Sequence, residues 1–427
     1  MKTDTTYTDD SRRSALKKLG LASAAVVTRP ILPGFNGVRN GSMFSPFGAS
    51  GRPVRVALLH PDKGALGTGM VRAGIETFLG SRERLVGRRG IEVNAVNIGY
   101  GVNQAIAAAR RITKDRSADV VVGMMSPSAA RWVRDMFEDG RVPFVAVHAG
   151  ERIADRAGTS PYLFQSSLGM WQGAYRAGTW AAGNLGSRCA IASSFVESGF
   201  DIAPAFRIAF ERAGGTIVHS VVTNAPVERP EQHAVVRQIV NAAPDFVLSL
   251  HATATDGGFI GAYAASPEAR RIPVMNIDPR MPLCAGNLPG GGTIFSRLRT
   301  YTVGVWAPAF APDESLLFAS RCRRTGHTAP DAFALLGYDT ANLIDHALVT
   351  TENDVRELAV AFPAIGFASA RGTLSIDQDG GTLAGPHYLM SNAIGARPIA
   401  LACDDVEILS SNEIPRRHGW VSSYLAV

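Results

Sequence analysis

Residues 118–147 have the sequence ADVVVGMMSPSAARWVRDMFEDGRVPFVAV. An apolar run at 118–125 is followed by an amphipathic stretch at 128–137 and a second apolar run at 143–147. A strand, a helix and a strand of these lengths predict a βαβ unit, whose two strands are parallel. Apart from Asp119 at the start of the first, both runs are apolar throughout, which is typical of strands that are covered on both faces. This segment therefore predicts an α/β fold with helices on both sides of a parallel sheet.

The same alternation extends through most of the chain. Before this segment, strands are predicted at 54–59 and 91–96, with helices at 70–79 and 103–112. After Pro161 the pattern begins again, with strands at 162–165, 189–193, 216–222, 245–250 and 273–277 and helices at 171–183, 202–213, 232–242 and 257–265. Beyond Gly290–Gly292, a helix is predicted at 333–348 and strands near 372–376 and 388–394. The sequence thus predicts two consecutive α/β blocks of similar size.

The first 51 residues are similar to an export signal followed by a linker. Arg12 and Arg13 precede a short apolar run at 19–27, and a charged segment before an apolar one is typical of secretory signals. The paired arginines resemble the twin-arginine signal, although Ala15 stands where that pattern usually has Phe. A disordered basic tail is the alternative. The apolar run is too short to span a bilayer as a helix, so we expect an exported protein, periplasmic or otherwise, with 30–51 as a linker.

Charge and cysteine content argue against several classes of function. The first 30 residues hold six of the 43 Lys and Arg and three of the 37 Asp and Glu, so the remainder carries 37 against 34, a net charge of +3. This small excess predicts no nucleic-acid partner. The cysteines form no C-x-x-C pair, which disfavours zinc, and we expect neither metal nor cofactor. The four cysteines are Cys189, Cys284, Cys322 and Cys403. Export permits a disulfide, for instance between Cys284 and Cys322, but the sequence favours buried free thiols.

Open parallel sheets bind ligands beyond the carboxyl ends of their strands. Helices begin there too, and their first N–H groups can hold an anion. The loops that follow the predicted strands therefore supply the candidate ligand-binding residues. These are Ser126, Ser128, His148, Ala149, Gly150, Ser198, Phe200, His251 and Asp278.

Each polar candidate in these loops has a structural alternative. Ser126 and Ser128 either offer hydroxyl groups to a ligand carboxylate or cap the helix that follows. His148, His251 and Ser198 either contact a ligand or are satisfied within the fold. The sequence leaves both alternatives open for all five.

The acidic and aromatic candidates are equally open to two interpretations. Asp278 either pairs with a ligand ammonium group, an interaction that shielding from water strengthens, or pairs with Arg280 or caps the next segment. Phe200 and Trp171 either form an apolar wall of the site or belong to the core.

Motifs of common enzymes are missing from the sequence, which predicts no enzyme. There is no G-x-S-x-G nucleophile turn and no H-E-x-x-H metal motif. The loop at 64–69 has several glycines but not the G-x-G-x-x-G spacing, and the second strand ends in Val96–Gly99 without an acidic residue for a ribose. An exported NAD(P)-dependent oxidoreductase is kept as an alternative.

Six short segments, in their order along residues 53–400, resemble those of a known family. They are 121–128, 142–147, 161–165, 197–201, 337–341 and 372–380. Together they resemble the type I periplasmic binding proteins, specifically the branched-chain amino acid (Leu/Ile/Val) receptor family of ABC transporters. The resemblance implies two doubly wound parallel-sheet lobes, joined by a three-strand hinge, that close on a ligand in the cleft between them.

The resemblance also implies a division of the chain and roles for the candidate residues. Lobe 1 would comprise 52–160 and about 291–358, and lobe 2 would comprise 161–290 and about 359–427. The loops at 126–128 and 148–150 would bind the α-carboxylate and ammonium of an amino acid, and Asp278 would pair with the ammonium.

The sequence departs from the family pattern in the predicted site. Pro127 interrupts a loop that is usually rich in hydroxyl groups, His148 and Gly150 replace small and hydroxyl residues, and His251 falls near a common aromatic position. These departures argue against a simple aliphatic amino acid as the ligand, and the resemblance implies amides, urea or aromatic acids as alternatives beside other amino acids. We therefore expect a monomer that captures a small polar solute and delivers it to an ABC permease. A sensor subunit without transport is the alternative.

Overall fold

The computed structural model describes residues 52–61, 67–82, 90–99, 101–125, 127–150, 160–194, 202–223, 229–251, 257–277, 297–327, 330–376, 381–393 and 396–401. The predicted export signal and linker at 1–51, residues 64–66 of the loop with several glycines at 64–69, Cys284 and Cys403 lie outside these ranges.

Fifteen strands and ten α-helices are formed within the described residues. The strands are β1 Val54–His60, β2 Ile91–Asn97, β3 Val120–Met124, β4 Phe144–His148, β5 Leu163–Ser167, β6 Arg188–Ser194, β7 Thr216–Thr223, β8 Phe246–Leu250, β9 Val274–Ile277, β10 Thr300–Gly304, β11 Gly366–Ser369, β12 Gly372–Ile376, β13 Thr382–Ala384, β14 His387–Ser391 and β15 Ile399–Leu401. The helices are α1 Thr68–Arg82, α2 Val102–Asp115, α3 Pro127–Asp139, α4 Met170–Asn184, α5 Ile202–Arg212, α6 Arg229–Asn241, α7 Gly257–Ala265, α8 Pro312–Arg324, α9 Ala332–Thr350 and α10 Leu358–Ala361.

The strands pair into two sheets, which confirms the predicted fold class. The first sheet has the order β11-β12-β13-β5-β4-β3-β1-β2, and the second has the order β15-β14-β10-β9-β8-β6-β7. Strands β1 to β5 are mutually parallel, as are β6 to β10. Antiparallel pairs occur only towards one edge of each sheet among the described strands, where β11, β12, β14 and β15 lie. Each sheet is therefore a five-stranded parallel unit with a mixed extension.

We call the first sheet with α1–α3 and α8–α10 lobe 1, and the second sheet with α4–α7 lobe 2. The chain passes between the sheets three times. The first crossing runs from Ser167 to Met170, the second from Gly304 to Pro312, and the third from Ala384 to His387. Three crossings agree with the hinge that the resemblance implies.

Strand pairing gives the crossings positions that differ from the expected ones near 160 and 290. Strand β5 still belongs to the first sheet, β10 still belongs to the second, and β11–β13 return to the first. The predicted lobe limits assigned these three segments to the opposite lobes. The reason is that an apolar strand pattern shows that a strand exists but not which of two sheets it joins. The exact limits of the lobes stay a prediction.

Apolar side chains cover both faces of each sheet. One cluster lies under α2 and α3 in lobe 1, with Phe137 and Phe144 at its centre. A second lies under α6 and α7 in lobe 2 and includes Phe259 and Tyr263. The remaining cluster extends across the faces that pack against α1, α9, α4 and α5. This double covering explains why β3, β4 and β8 are buried along their whole length.

Helix α9 is the longest and most buried helix of the described chain. It begins after Asp331, whose carboxylate accepts a hydrogen bond from the Ala334 N–H at 2.9 Å, the bond that a capping residue makes. It packs against α1 so closely that a Cβ on Gly74 would overlap the carbonyl oxygen of Ala334, and a Cβ on Gly337 would overlap that of Val71. Glycine at these two positions therefore permits backbone-to-backbone contact.

Cys189 and Cys322 are buried free thiols, as the sequence favours. Burial raises the pKa of both, that of Cys322 to about 11. Among the described helices, none combines the length and the apolar character that a membrane span requires.

Candidate functional site

The parallel part of each sheet has one point at which the strand order reverses. In the first sheet β2-β1-β3-β4-β5 are neighbours, and in the second β7-β6-β8-β9-β10 follow the same pattern. Ligands of such sheets bind at the carboxyl ends of the strands that flank the reversal. These strands are β1 and β3 in lobe 1, and β6 and β8 in lobe 2. The topology thus indicates the loops after His60, Met124, Ser194 and Leu250.

The predicted site residues follow these strands or their neighbours in the chain. Four of them, Ser126, Ser198, Phe200 and Asp278, lie outside the described residues. Ser128 is the second residue of α3, because the helix begins one residue earlier than predicted, at Pro127. Proline is common at the first helical position, where its missing N–H costs no hydrogen bond.

His148 ends β4, next to the reversal in lobe 1, and its side chain is 3% exposed. Its Nδ1 accepts a hydrogen bond from the Gly150 N–H at 3.1 Å. Its Nε2 lies 3.1 Å from Oε1 of Gln165 on β5. Because Nδ1 accepts, Nε2 carries the proton and donates to Gln165. Nδ1 therefore holds the loop at 148–150 against the ring, and Nε2 joins the ring to the neighbouring strand.

The loop at 148–150 is also joined to the first crossing through its backbone. The Leu168 N–H donates to the carbonyl of His148 at 3.3 Å, and the Met170 N–H donates to the carbonyl of Ala149 at 3.1 Å. Gly150 has φ +123°, and a Cβ there would overlap the Met170 nitrogen. Only glycine fits such a backbone without strain. The three predicted residues of this loop thus lie directly against the start of α4.

His251 follows β8 at the reversal in lobe 2, and 6% of its side chain is exposed. Its Nε2 lies 3.0 Å from Oγ1 of Thr223 and its Nδ1 lies 3.0 Å from Oγ of Ser249. The ring stacks on Phe259 with centroids 4.3 Å apart. Burial lowers the pKa of His251 to about 3, so the imidazole is neutral near pH 7. Two hydroxyl groups therefore fix the ring at the end of the strand.

Sequence reasoning overlooked the polar partners of these two histidines. Gln165, Thr223 and Ser249 lie on strands, and the last two are 3% and 1% exposed. The available signal was a polar residue within a strand that is otherwise apolar, because a buried polar group needs a hydrogen-bond partner. Trp171, the predicted wall residue, is partly buried and packs against the core.

The described part of the site offers neutral hydrogen-bonding groups at the carboxyl ends of both sheets. Within the described residues, no group of three or more His, Cys, Asp and Glu side chains could hold a metal ion. What these ends provide, among the described residues, is buried polar side chains that hold the strand-end loops in place.

Comparisons with known proteins agree with this architecture. A Leu/Ile/Val-binding protein homolog of Brucella abortus (strain 2308) is 23% identical over 334 residues, which are 76% of this chain and 84% of that protein. The structure of an ABC transporter substrate-binding protein from Sphaerobacter thermophilus has a TM-score of 0.70 and 23% identity, covering 83% of this chain and 97% of that one. A solute-binding protein from R. palustris in complex with benzoate has a TM-score of 0.65 and 22% identity, covering 82% and 96%. The periplasmic binding protein family model matches residues 53–393. This chain therefore belongs to the periplasmic binding protein family.

Proposed function

We propose that this protein captures a small polar solute between its two lobes and delivers it to an ABC permease. The observation that carries the proposal is the same reversal of strand order in both sheets, with polar side chains at the carboxyl ends that flank it. Family membership over 53–393 supports it. No bond chemistry is proposed, and no observation favours the nicotinamide-dependent oxidoreductase.

Capture is assigned to the predicted site residues. Ser126, Ser128, Ala149 and Gly150 face the solute from lobe 1, and Ser198, Phe200 and Asp278 face it from lobe 2. His148 acts mainly through the loop that it holds, because both its ring nitrogens are bonded within lobe 1. His251 acts in the same way in lobe 2, because both its ring nitrogens are bonded there and its neutral ring does not change protonation near pH 7.

The proposed ligands are an amino acid, an amide or an aromatic carboxylic acid. The benzoate bound by the R. palustris protein supports the aromatic choice, and the name of the Brucella protein, a Leu/Ile/Val-binding protein homolog, supports the aliphatic one. Export follows the family, and the twin-arginine route is proposed from Arg12 and Arg13. We propose a monomer, since the cleft needs only one chain. A sensor would bind the same solutes without a transporter.

Thermal unfolding of a protein that begins at residue 52 tests capture. The solutes are leucine, benzamide and benzoate, each added separately. A solute present at about 100 times its Kd adds about 2.7 kcal/mol to the free energy of unfolding. If none of the three raises the unfolding temperature, the proposed ligand classes are wrong. Uptake of the binding solute by cells with and without the protein then separates transport from sensing.

Asp278→Ala tests the assignment of the site. The variant should lose at least about tenfold in affinity for a solute with an ammonium group, because a charge-assisted bond of about 1.5–3 kcal/mol is removed. Asp115→Ala is the matched control, since Asp115 is exposed at the end of α2, remote from the carboxyl edge of the sheet. Equal affinities of the two variants would contradict the role of Asp278.

A further inference from the structure

Arg371 contacts the first and the third crossing at the same time. It lies in the turn between β11 and β12 in lobe 1, and its side chain is 1% exposed. Its Nη2 donates to the carbonyl of Ser167 at 2.8 Å, at the start of the first crossing. Its own carbonyl accepts a hydrogen bond from the Tyr388 hydroxyl at 2.9 Å, just after the third crossing. One residue of lobe 1 therefore bonds to the first crossing and to the strand that the third crossing enters.

Asp339 on α9 provides the opposite charge beside Arg371. Its Oδ2 lies 3.8 Å from Nη1 of Arg371, and both side chains are almost fully buried. Its Oδ1 accepts a hydrogen bond from the Ser369 hydroxyl at 2.7 Å, and Ser369 Oγ accepts one from the Arg371 N–H at 3.1 Å. The guanidinium is thereby anchored to the longest helix of lobe 1.

His387 ties the two crossings to each other. Its Nε2 lies 3.2 Å from the carbonyl of Leu168 in the first crossing, while Nη1 of Arg176 on α4 donates to its Nδ1 at 2.7 Å. Burial, aided by the nearby charges of Arg176 and Arg371, lowers the pKa of His387 to about 3. The ring is therefore neutral and can accept at Nδ1 while it donates at Nε2. Gly169 and Gly173 make room for it, because a Cβ on either would press against the imidazole.

A buried ion pair of this kind is a poor source of net stability. The cost of removing both charges from water offsets most of their attraction. Nε and Nη1 of Arg371 and Oδ2 of Asp339 have no hydrogen-bond partner among the described residues, which adds to that cost. The contribution of Arg371 is therefore its two directional hydrogen bonds, one donated to Ser167 and one accepted from Tyr388. These bonds fix the relative positions of the segments that they join.

We propose that Arg371, with Asp339, Tyr388 and His387, positions the first and third crossings so that they bend together as one hinge. Hinges in proteins of this architecture are a few residues at element ends that absorb the rotation of the lobes. Two crossings held in register restrict the lobes to one path of closure. The loop at 148–150 shares this restraint, because the backbone N–H groups of Leu168 and Met170 bond to it. The role in binding rests on the proposed function, but the restraint itself does not.

Distance measurements between the lobes of the ligand-free protein test this proposal. Lys114 on α2 and Arg237 on α6, which are both exposed, are each replaced by a keto-bearing non-natural residue. A spin label is then attached to each of the two keto groups. Double electron–electron resonance then reports the distribution of their separation. Arg371→Met combined with Asp339→Asn removes both charges together and leaves an acceptor for Ser369, so no single buried charge remains. We expect this double variant to widen the distribution about twofold, since an unrestrained hinge populates more lobe angles.

Ile239→Ala is the control for a general loss of stability, because Ile239 is a fully buried residue of α6 in lobe 2, away from the crossings. It should keep the width of the parent protein. A double variant with the parent's width would overturn the proposal. If the double variant does not fold, Tyr388→Phe decides, since it removes only one hydroxyl: a wider distribution supports the hinge role and an unchanged one overturns it. No solute is needed, so failure to find a ligand leaves the result intact.

Discussion

In lobe 1, helix α1 packs against α9, which comes from a distant part of the chain, whereas in lobe 2 helix α4 packs against α5, the next helix along. The first pair meets through Gly74 and Gly337, with backbone against backbone. The second pair also meets through a glycine, because a Cβ on Gly178 of α4 would lie 2.5 Å from the Phe206 carbonyl oxygen on α5. Aromatic rings then pack α5 against the sheet: Phe206 and Phe210 are stacked with centroids 5.6 Å apart, and Phe210 packs edge-on against Phe246 of β8 at 5.5 Å.

Two lobes of the same strand order therefore obtain a close helix contact from different parts of the chain. Lobe 2 gains its helix contact from neighbouring segments, which costs little loop-closure entropy. In lobe 1, α1 packs against a helix that follows most of lobe 2 in the sequence, and contacts of long sequence separation form slowly. We expect added volume at Gly337 to destabilise lobe 1, and removed volume in the ring cluster around Phe210 to destabilise lobe 2.

Phe210→Ala should have the largest effect, because it removes a fully buried ring from lobe 2. A loss of about 3–5 kcal/mol in the free energy of unfolding is expected from the lost burial and the cavity. Urea denaturation followed by circular dichroism measures it. Leu316→Ala, at a position that is 68% exposed, should change the free energy by less than about 0.5 kcal/mol. Similar losses in both variants would show that the ring cluster is not what stabilises lobe 2.

Gly337→Ala should come next and acts in the opposite sense, by adding one methyl group to lobe 1. The new Cβ has no space beside the Val71 carbonyl, so α1 and α9 must separate at a cost of about 3 kcal/mol. The matched control is Gly69→Ala on α1, where a Cβ meets nothing within 4 Å. It should be neutral or stabilise by up to about 1 kcal/mol. If Gly337→Ala leaves the free energy of unfolding unchanged, the contact between α1 and α9 does not require glycine at 337, and the comparison between the lobes fails.

The pH dependence of stability should also differ between the lobes, with smaller effects. In lobe 2, burial lowers the pKa of His251 to about 3 from 6.5. Between these values the unfolded chain binds the extra proton, so stability falls as pH falls. In lobe 1, burial raises the pKa of Asp339 to about 7 from 3.8. There the folded state binds the extra proton, so stability falls as pH rises through that window. Each group contributes about 1.4 kcal/mol per pH unit inside its window.

Variants at these two positions separate the opposing slopes. The free energies of unfolding of each variant and of the parent protein are measured at pH values of about 4.5, 5.5 and 6.5, which lie inside both windows. His251→Gln should make the slope against pH more negative, and Asp339→Asn should make it more positive. An unchanged slope in either variant would show that the group at that position titrates at its ordinary pKa in the folded protein, which contradicts the prediction for that group.

The alternating apolar runs predicted β1–β9 and α1–α7 to within a few residues at each end, because each run forms its element from local residues. The strands at 300–304, 366–369, 382–384 and 399–401 and the helices at 312–324 and 358–361 were not predicted. The strands are short, and their places depend on pairing with other segments of the chain. Which sheet each strand joins is likewise a property of pairings across the chain.

The candidate site shows the same division between local and distant information. His148 could be flagged from its place after a buried strand, but its bond to Gln165 depends on the register of β4 and β5. Arg371 could not be flagged at all, because its partner Ser167 is 204 residues away in the sequence. The predicted roles of Ser126, Ser198, Phe200 and Asp278 stay predictions.

The amino-terminal edge of lobe 1 has a practical consequence for attaching the protein to a surface. Arg52 and Arg55 both bond to the carboxylate of Asp119, at the starts of β1 and β3. Hydrogen bonding to the two guanidinium groups holds the pKa of Asp119 below its ordinary value, against the effect of burial. Because parallel strands begin at the edge opposite to their carboxyl ends, a linker joined ahead of Arg52 meets the lobe away from the proposed cleft. An electrode or bead coupled through such a linker would leave the binding edge facing the solution, as a solute sensor requires.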